Sequence, residues 1–138
     1  MEFQNRVGAG WIAFGAMLAG LAVILGAIGA HGLANMIQEM PDIQKRLANW
    51  ETGVHYQMAH SLGLILIGVL ATLYGPSRLL SAAAWLFLLG ILLFSGGLYA
   101  WVFTDSGPVV AVVPLGGLAF IMGWACIATR ALIAMRSK

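Results

Sequence analysis

Four stretches without a single Asp, Glu, Lys or Arg, residues 7–30, 52–77, 79–104 and 106–129, take up most of this 138-residue chain. Each is long enough to cross a bilayer: at ~1.5 Å per residue the first spans ~35 Å, against a hydrocarbon core of ~30 Å. Inside a bilayer the backbone must satisfy its own hydrogen bonds, and these stretches lack the alternation of barrel strands, so they are expected to be helices. The chain is 61% hydrophobic and 9% charged with a mean hydropathy of +0.91, far from a soluble domain, where about a quarter of residues carry charge. The expected fold is all-α: a polytopic membrane protein with a four-transmembrane-helix bundle. It forms a single domain over residues 1–138, with spans at about 8–31, 53–75, 79–102 and 112–135.

Lysines and arginines distribute unequally about these spans. One side carries Arg6, Arg78, Arg130, Arg136 and Lys138, the other Lys45 and Arg46, so both termini are expected on the cytoplasmic side. The segment from His31 to Thr52 and the turn around Asp105 then face outward. Trp50, Tyr56, Tyr99 and Trp101 are expected at the outer interface, and Trp11, Tyr74 and Trp85 at the inner one. The net charge of +2 and the basic C-terminal end suit anionic lipid headgroups and make no nucleic-acid patch. The first apolar stretch far exceeds the ~7–15 residues of a signal-peptide core and is expected to remain as a span. Cys126, the single cysteine, falls in the fourth span, where packing is its expected role.

The connections differ in character. After Pro41-Asp42, the residues Ile43, Leu47, Trp50 and Val54 recur at helical spacing, with Lys45 and Arg46 away from that line. The pattern predicts an interfacial helix between spans one and two that runs into span two. From Ile43 to Tyr74 it would be ~48 Å long, which requires a bend, a tilt or an outward projection. Gly75-Pro76-Ser77-Arg78 is a tight turn. Pro108 suits a helix start, whereas Pro114 would break a helix already under way. Val109 to Val113 is therefore expected as a partial turn before a main span from Leu115 to Met135.

Helices in lipid associate by close backbone approach, which makes the 18 glycines informative. Small-residue stripes run through Gly15, Ala19 and Ala27, through Ala22, Gly26 and Ala30, through Gly90, Gly96, Gly97 and Ala100, and through Gly116, Ala119 and Gly123. Gly26, Gly29, Gly96, Gly116, Gly117 and Gly123 are the expected helix-packing positions. They serve the bundle itself, or contacts with further copies of the chain or with other membrane subunits.

Polar residues at membrane depth are functional candidates, because burying them is costly. Here they are His31, Glu51, His55, Tyr56, Gln57, His60, Ser95, Tyr99 and Trp124. At 100° per residue Glu51 and His55 share a face, as do Tyr56 and His60, whereas His55 and His60 lie ~140° apart. If an antiparallel hairpin brought His31 alongside His60, the pair, with Tyr56 or Gln57, would hold a metal through neutral imidazoles or form a bis-imidazole haem or quinone contact. The alternative is structural: His31, Tyr56, Gln57 and His60 hydrogen-bond across helices, at ~0.6–2 kcal/mol each. The spacing matches no zinc signature and no acidic cluster completes a coordination sphere, so no cofactor is expected.

Four ordered motifs carry a resemblance over essentially the whole chain: Gly26 to Gly32 (GAIGAHG), Glu51 to His60 (ETGVHYQMAH), Phe94 to Tyr99 (FSGGLY), and Pro114 to Gly117 (PLGG) with Gly123-Trp124. Together they resemble the YgdD/YwdK-like small bacterial membrane proteins, a domain of unknown function whose animal relatives are small four-span proteins. The resemblance implies an integral protein of the bacterial inner membrane. It also makes His31, Glu51, Tyr56, Gln57 and His60 a family signature, with Ser95 and Tyr99 in the third motif. His55 and Gly97 depart from the family pattern. No activity is implied. The residues agree: there is no nucleophile with base and orienter, no phosphate loop and no carboxylate pair within the spans, so an enzyme is not expected. The expected role is helix packing, as a homo-oligomer or an accessory subunit in contact with membrane lipid, with metal or haem binding at His31 and His60 as the alternative.

Overall fold

The computed structural model describes residues 2–104 and 107–136, with side chains from Arg6 onward other than that of Val110. The turn around Asp105 and the terminal Lys138 lie outside the described residues. The elements are α1 (Glu2–His31), a single turn α2 (Leu33–Met36), α3 (Ile43–Tyr74), α4 (Arg78–Gly90), a π-helical turn (Ile91–Ser95), α5 (Gly96–Thr104) and α6 (Gly107–Arg136). No strand occurs among the described residues. The third span runs through α4, the π turn and α5, so four helical spans are long and apolar enough to cross a membrane.

One local expectation needs correction, the break at Pro114. The helix after Pro41-Asp42 runs into span two without a break, as expected: Asp42 takes a left-handed conformation (φ 57) and launches α3 directly at Ile43, a conformation that Asp tolerates better than most residues. The 32-residue α3 uses its extra length to project past the end of α1, where Leu33 and Ile37 pack with Trp50 and Met40. The third span holds a π turn that its uniformly apolar sequence did not signal. The fourth span is continuous through Pro114. Proline removes one backbone donor, yet the helix is held on both sides of it, with Val113 against Gly97 and Gly116 against Phe94. Between spans two and three the turn is tight as expected: Gly75 has φ 83 and the Ser77 hydroxyl accepts from the Leu80 N–H at 3.1 Å, capping α4.

The bundle is ordered by how glycine is used. Along α1, Gly8, Gly15, Ala22 and Gly29 recur every seven residues, and all face α3. A Cβ on Gly68 would lie 2.6 Å from the Gly8 carbonyl oxygen, and one on Gly15 would lie 2.8 Å from the Ser61 carbonyl oxygen. The two backbones are therefore in direct contact, with Gly29 meeting Trp50 at the far end. The seven-residue period is that of a left-handed pair, in which one seam stays toward the partner. The stripes expected at four-residue spacing mixed two faces: Gly15 and Ala22 are buried, but Ala27 and Ala30 are exposed.

Between α3 and the third and fourth spans, glycines serve as sockets for rings. Phe87, fully buried, seats against both Gly63 and Gly123; Phe120 sits on Gly90, Phe94 on Gly116 and Tyr99 on Gly53. Phe87, Phe94 and Phe120 join Leu64, Ile67, Ala83 and Ala84 in the principal core, where Cys126 also packs, whereas Tyr99 packs on the second cluster with Trp50 and Trp101. Of the expected packing glycines, Gly29, Gly116 and Gly123 are closely covered by other helices. A Cβ on Gly26 would reach only Val54 at 3.4 Å and one on Gly117 only Phe94 at 3.7 Å, while one on Gly96 would meet nothing beyond its own span among the described residues.

The α1 helix is the peripheral member. It packs along α3 and touches α4 through the Trp11–Trp85 edge contact (5.6 Å). Only 11% of its most apolar stretch is buried, against 44% for α3. Replacing Gly68 by Leu is expected to lower unfolding free energy in detergent by about 2–3 kcal/mol, the cost of overpacking a tight contact. Gly10→Leu, where a Cβ meets nothing within 4 Å, is expected to be neutral in the same melt. Equal effects would contradict the backbone contact.

Candidate functional site

Helix α3 carries most of the predicted polar residues, and the helices around it determine what each one does. Gln57, 2% exposed, donates from Nε2 to the Leu18 carbonyl of α1 at 3.0 Å and accepts at Oε1 from the Tyr99 hydroxyl of α5 at 3.0 Å. It thus ties three spans together. Two turns toward the α1 C-terminus, the Trp50 indole donates to the Leu25 carbonyl at 2.8 Å, and its ring leans on Tyr99 (4.7 Å). Carbonyls within a helix have a second lone pair to accept such bonds.

His60, 5% exposed, sits deeper in the same helix. Its Nδ1 is 2.7 Å from the Tyr56 carbonyl oxygen, which can only accept, and its Nε2 accepts from the Trp124 indole of α6 at 3.1 Å. The pairing assigns the proton to Nδ1 and makes the imidazole neutral. The ring stacks on Phe120 at 3.5 Å and meets Phe87 edge-on at 5.1 Å. Tyr56 stacks above it (6.0 Å) and against Phe94 (4.6 Å). Tyr56, His60, Phe94, Pro114, Gly117 and Trp124 are among the residues lining an open groove of about 580 Å³. The π turn helps to build it. One extra residue in a turn rotates the downstream helix by about 100°, and Phe87 of α4, Phe94 of the π turn and Tyr99 of α5 thereby meet different neighbours.

Other predicted residues stand apart. His31 is exposed, in a shallow groove with Ile24, Ala27 and Met36. Because Gly15 lies beside Ser61 and Gly29 beside Trp50, the antiparallel register separates His31 from His60 by ~24 Å along the bundle. The facing pair expected from sequence is not formed within one chain. The hairpin is antiparallel, as expected, but its two histidines sit at different depths. Among the described residues no three His, Cys, Asp or Glu side chains come close enough to hold a metal ion. Glu51 and His55 share an exposed groove with Thr52 and Tyr56, as the helical spacing required. Ser95, fully buried in the π turn, makes no side-chain hydrogen bond among the described residues.

Arg46 was missed as a site residue. It is 3% exposed, and its guanidinium donates to the Val102 carbonyl at 2.6 Å and to the Pro41 carbonyl at 2.8 Å. It also lies over the Trp101 ring at 5.1 Å, as does the Lys45 ammonium. A cation on the last carbonyls of α5 complements the helix dipole. Trp50 and Trp101, expected in an interfacial belt, are buried in this cluster. The sequence hint was the Lys45-Arg46 pair next to a turn and opposite a tryptophan, a pattern that reads equally well as a solvated face.

Four apolar helical spans tied by internal polar clamps define a small polytopic membrane protein. The chain belongs to a family described as "Protein of unknown function (DUF423)", whose profile matches residues 25–117. It is 45% identical over 122 residues to the UPF0382 membrane protein YwdK of Bacillus subtilis, covering 88% of this chain and 95% of that one. It is 41% identical over 115 residues to a UPF0382 membrane protein of Staphylococcus haemolyticus (83% and 88% covered). A UPF0382 membrane protein of Haemophilus influenzae is 39% identical over 106 residues (77% and 80%). No solved structure matches. The family expected from the four motifs is thereby established.

The bond between His60 and Trp124 gives a direct check. In a double-mutant cycle of His60→Phe and Trp124→Phe, unfolding in detergent is expected to show a coupling of about 0.6–1.7 kcal/mol. A coupling near zero would mean that the rings only pack.

Proposed function

We propose that this protein is a non-catalytic membrane component that works by helix packing, assembling with copies of itself through the uncovered face of α1. The supporting observation is a second small-residue line on that helix. Ala13, Gly20 and Ala27 recur every seven residues and are all exposed, and a Cβ on Gly20 meets nothing within 4 Å. The period matches that of the line which already packs on α3, and in lipid such lines are where backbones meet. The second support is the state of the polar residues: Gln57, Trp50 and His60 spend their hydrogen-bonding groups on neighbouring helices. That is how structural clamps are used. Metal or haem binding by His31 and His60 loses ground to the ~24 Å separation set by the register. Both termini are assigned to the cytoplasmic face of a bacterial inner membrane, because Arg6, Arg78, Arg130 and Arg136 fall at one end of the bundle.

Native mass spectrometry from mild detergent tests this reading, since it reports subunit number and foreign mass together. A homo-oligomer is expected for the unaltered chain, and Gly20→Leu is expected to weaken it at least about tenfold, a loss of ~1.4 kcal/mol, while leaving the helical circular dichroism unchanged. A monomer in all mild detergents, or an oligomer indifferent to Gly20→Leu, would contradict it.

A further inference from the structure

At the α1 C-terminal end of the bundle, α1 and α3 part to leave a groove of about 430 Å³. Gly26, Gly29 and Ala30 form one wall, and Leu47, Trp50 and Val54 the other, with Glu51 at its polar edge. We propose that this groove binds an aminophospholipid, with the primary ammonium of the headgroup at the Glu51 carboxylate and an acyl chain along the apolar lining.

Charge complementarity carries the assignment. Glu51 is exposed and has no hydrogen-bond or ion-pair partner among the described residues. The two nearest cations in sequence are drawn elsewhere: Arg46 onto the Val102 carbonyl, and Lys45 over the Trp101 ring. Among the described residues no Lys or Arg lines the groove, which disfavours an anionic headgroup. A primary ammonium brings three donors to a group that can only accept, whereas a trimethylammonium brings none. One wall of the groove is held in place, because Trp50 bonds the Leu25 carbonyl and leans on Tyr99. Its depth suits a lipid: Glu51 follows Trp50, about one turn below the level where α1 ends. There the carboxylate reaches the headgroup layer while the lining stays among the chains. A soluble amine would leave the apolar lining unused.

The test is native mass spectrometry of the full chain in detergent with an equimolar mixture of phosphatidylethanolamine, phosphatidylcholine and phosphatidylglycerol carrying identical acyl chains. The unaltered protein is expected to retain phosphatidylethanolamine about tenfold over the other two, the ratio that one charge-assisted hydrogen bond supports. Glu51→Gln, at an exposed position, is expected to erase the preference. Ala30→Phe, which fills the groove but keeps the carboxylate, is expected to remove the bound lipid. Equal retention of all three lipids, a preference for phosphatidylglycerol, parity of phosphatidylcholine with phosphatidylethanolamine, or a preference that survives Glu51→Gln would each overturn the assignment. Subunit number is read separately in the same spectra, so this outcome is independent of whether the chain assembles.

Discussion

The bare contact between α1 and α3 sets the register that fixes how α1 is tied to the rest of the bundle. In lipid a helix gains little by hiding apolar side chains from its surroundings, so two helices hold together by packing and by polar bonds. Gly8 against Gly68 and Gly15 against Ser61 bring backbone to backbone with no side chain between. Once that seam is closed, its register is set for the whole length of both helices. The Leu18 carbonyl then falls within reach of Gln57, and the Leu25 carbonyl within reach of Trp50.

The packing around α3 divides its polar residues into two groups. Those on the buried faces of α3, Gln57 and His60, find partners on α1, α5 and α6 and act as ties. Those on its open face, Glu51 and His55, point their polar groups toward the surroundings. Each tie is worth only about 0.6–2 kcal/mol. Leaving one half-made would cost as much again, because a buried amide or imidazole in hydrocarbon has no water to turn to. Ring sockets complete the core: Phe87 between Gly63 and Gly123, and Phe120 on Gly90, hold the third and fourth spans against α3. Arg46 serves the same end where the bundle meets water, by closing the carbonyl end of α5.

Much of this architecture was legible in the sequence, because lipid leaves so few options. Four charge-free stretches sufficed for four helices, and helical spacing alone placed Tyr56 with His60 and Glu51 with His55. Depth was harder. Histidines in GAIGAHG and HYQMAH invite pairing, but which residues of a hairpin face one another depends on where its turn falls. The seam of Gly15 on Ser61 and Gly29 on Trp50 sets His31 about four turns from His60 along α3. The packing glycines were visible yet grouped at a spacing of four, when Gly8, Gly15, Ala22 and Gly29 announce a period of seven. The π turn had no signal, since Ile91 to Ser95 is as apolar as its flanks, and Arg46 was hidden because a lysine-arginine pair beside a turn ordinarily points at water.

The register of α1 on α3 is the claim on which the remainder rests, and a spin-label distance measures it directly. Labels at His31 and Leu62, both exposed, can be read by double electron–electron resonance in lipid nanodiscs, with labelled chains diluted by unlabelled ones so that only distances within one chain contribute. The glycine seam requires a distribution centred near ~25 Å, the axial offset between the end of α1 and the level of Gly15. A distribution centred below ~15 Å would place His31 beside His60 after all, and would contradict the seam.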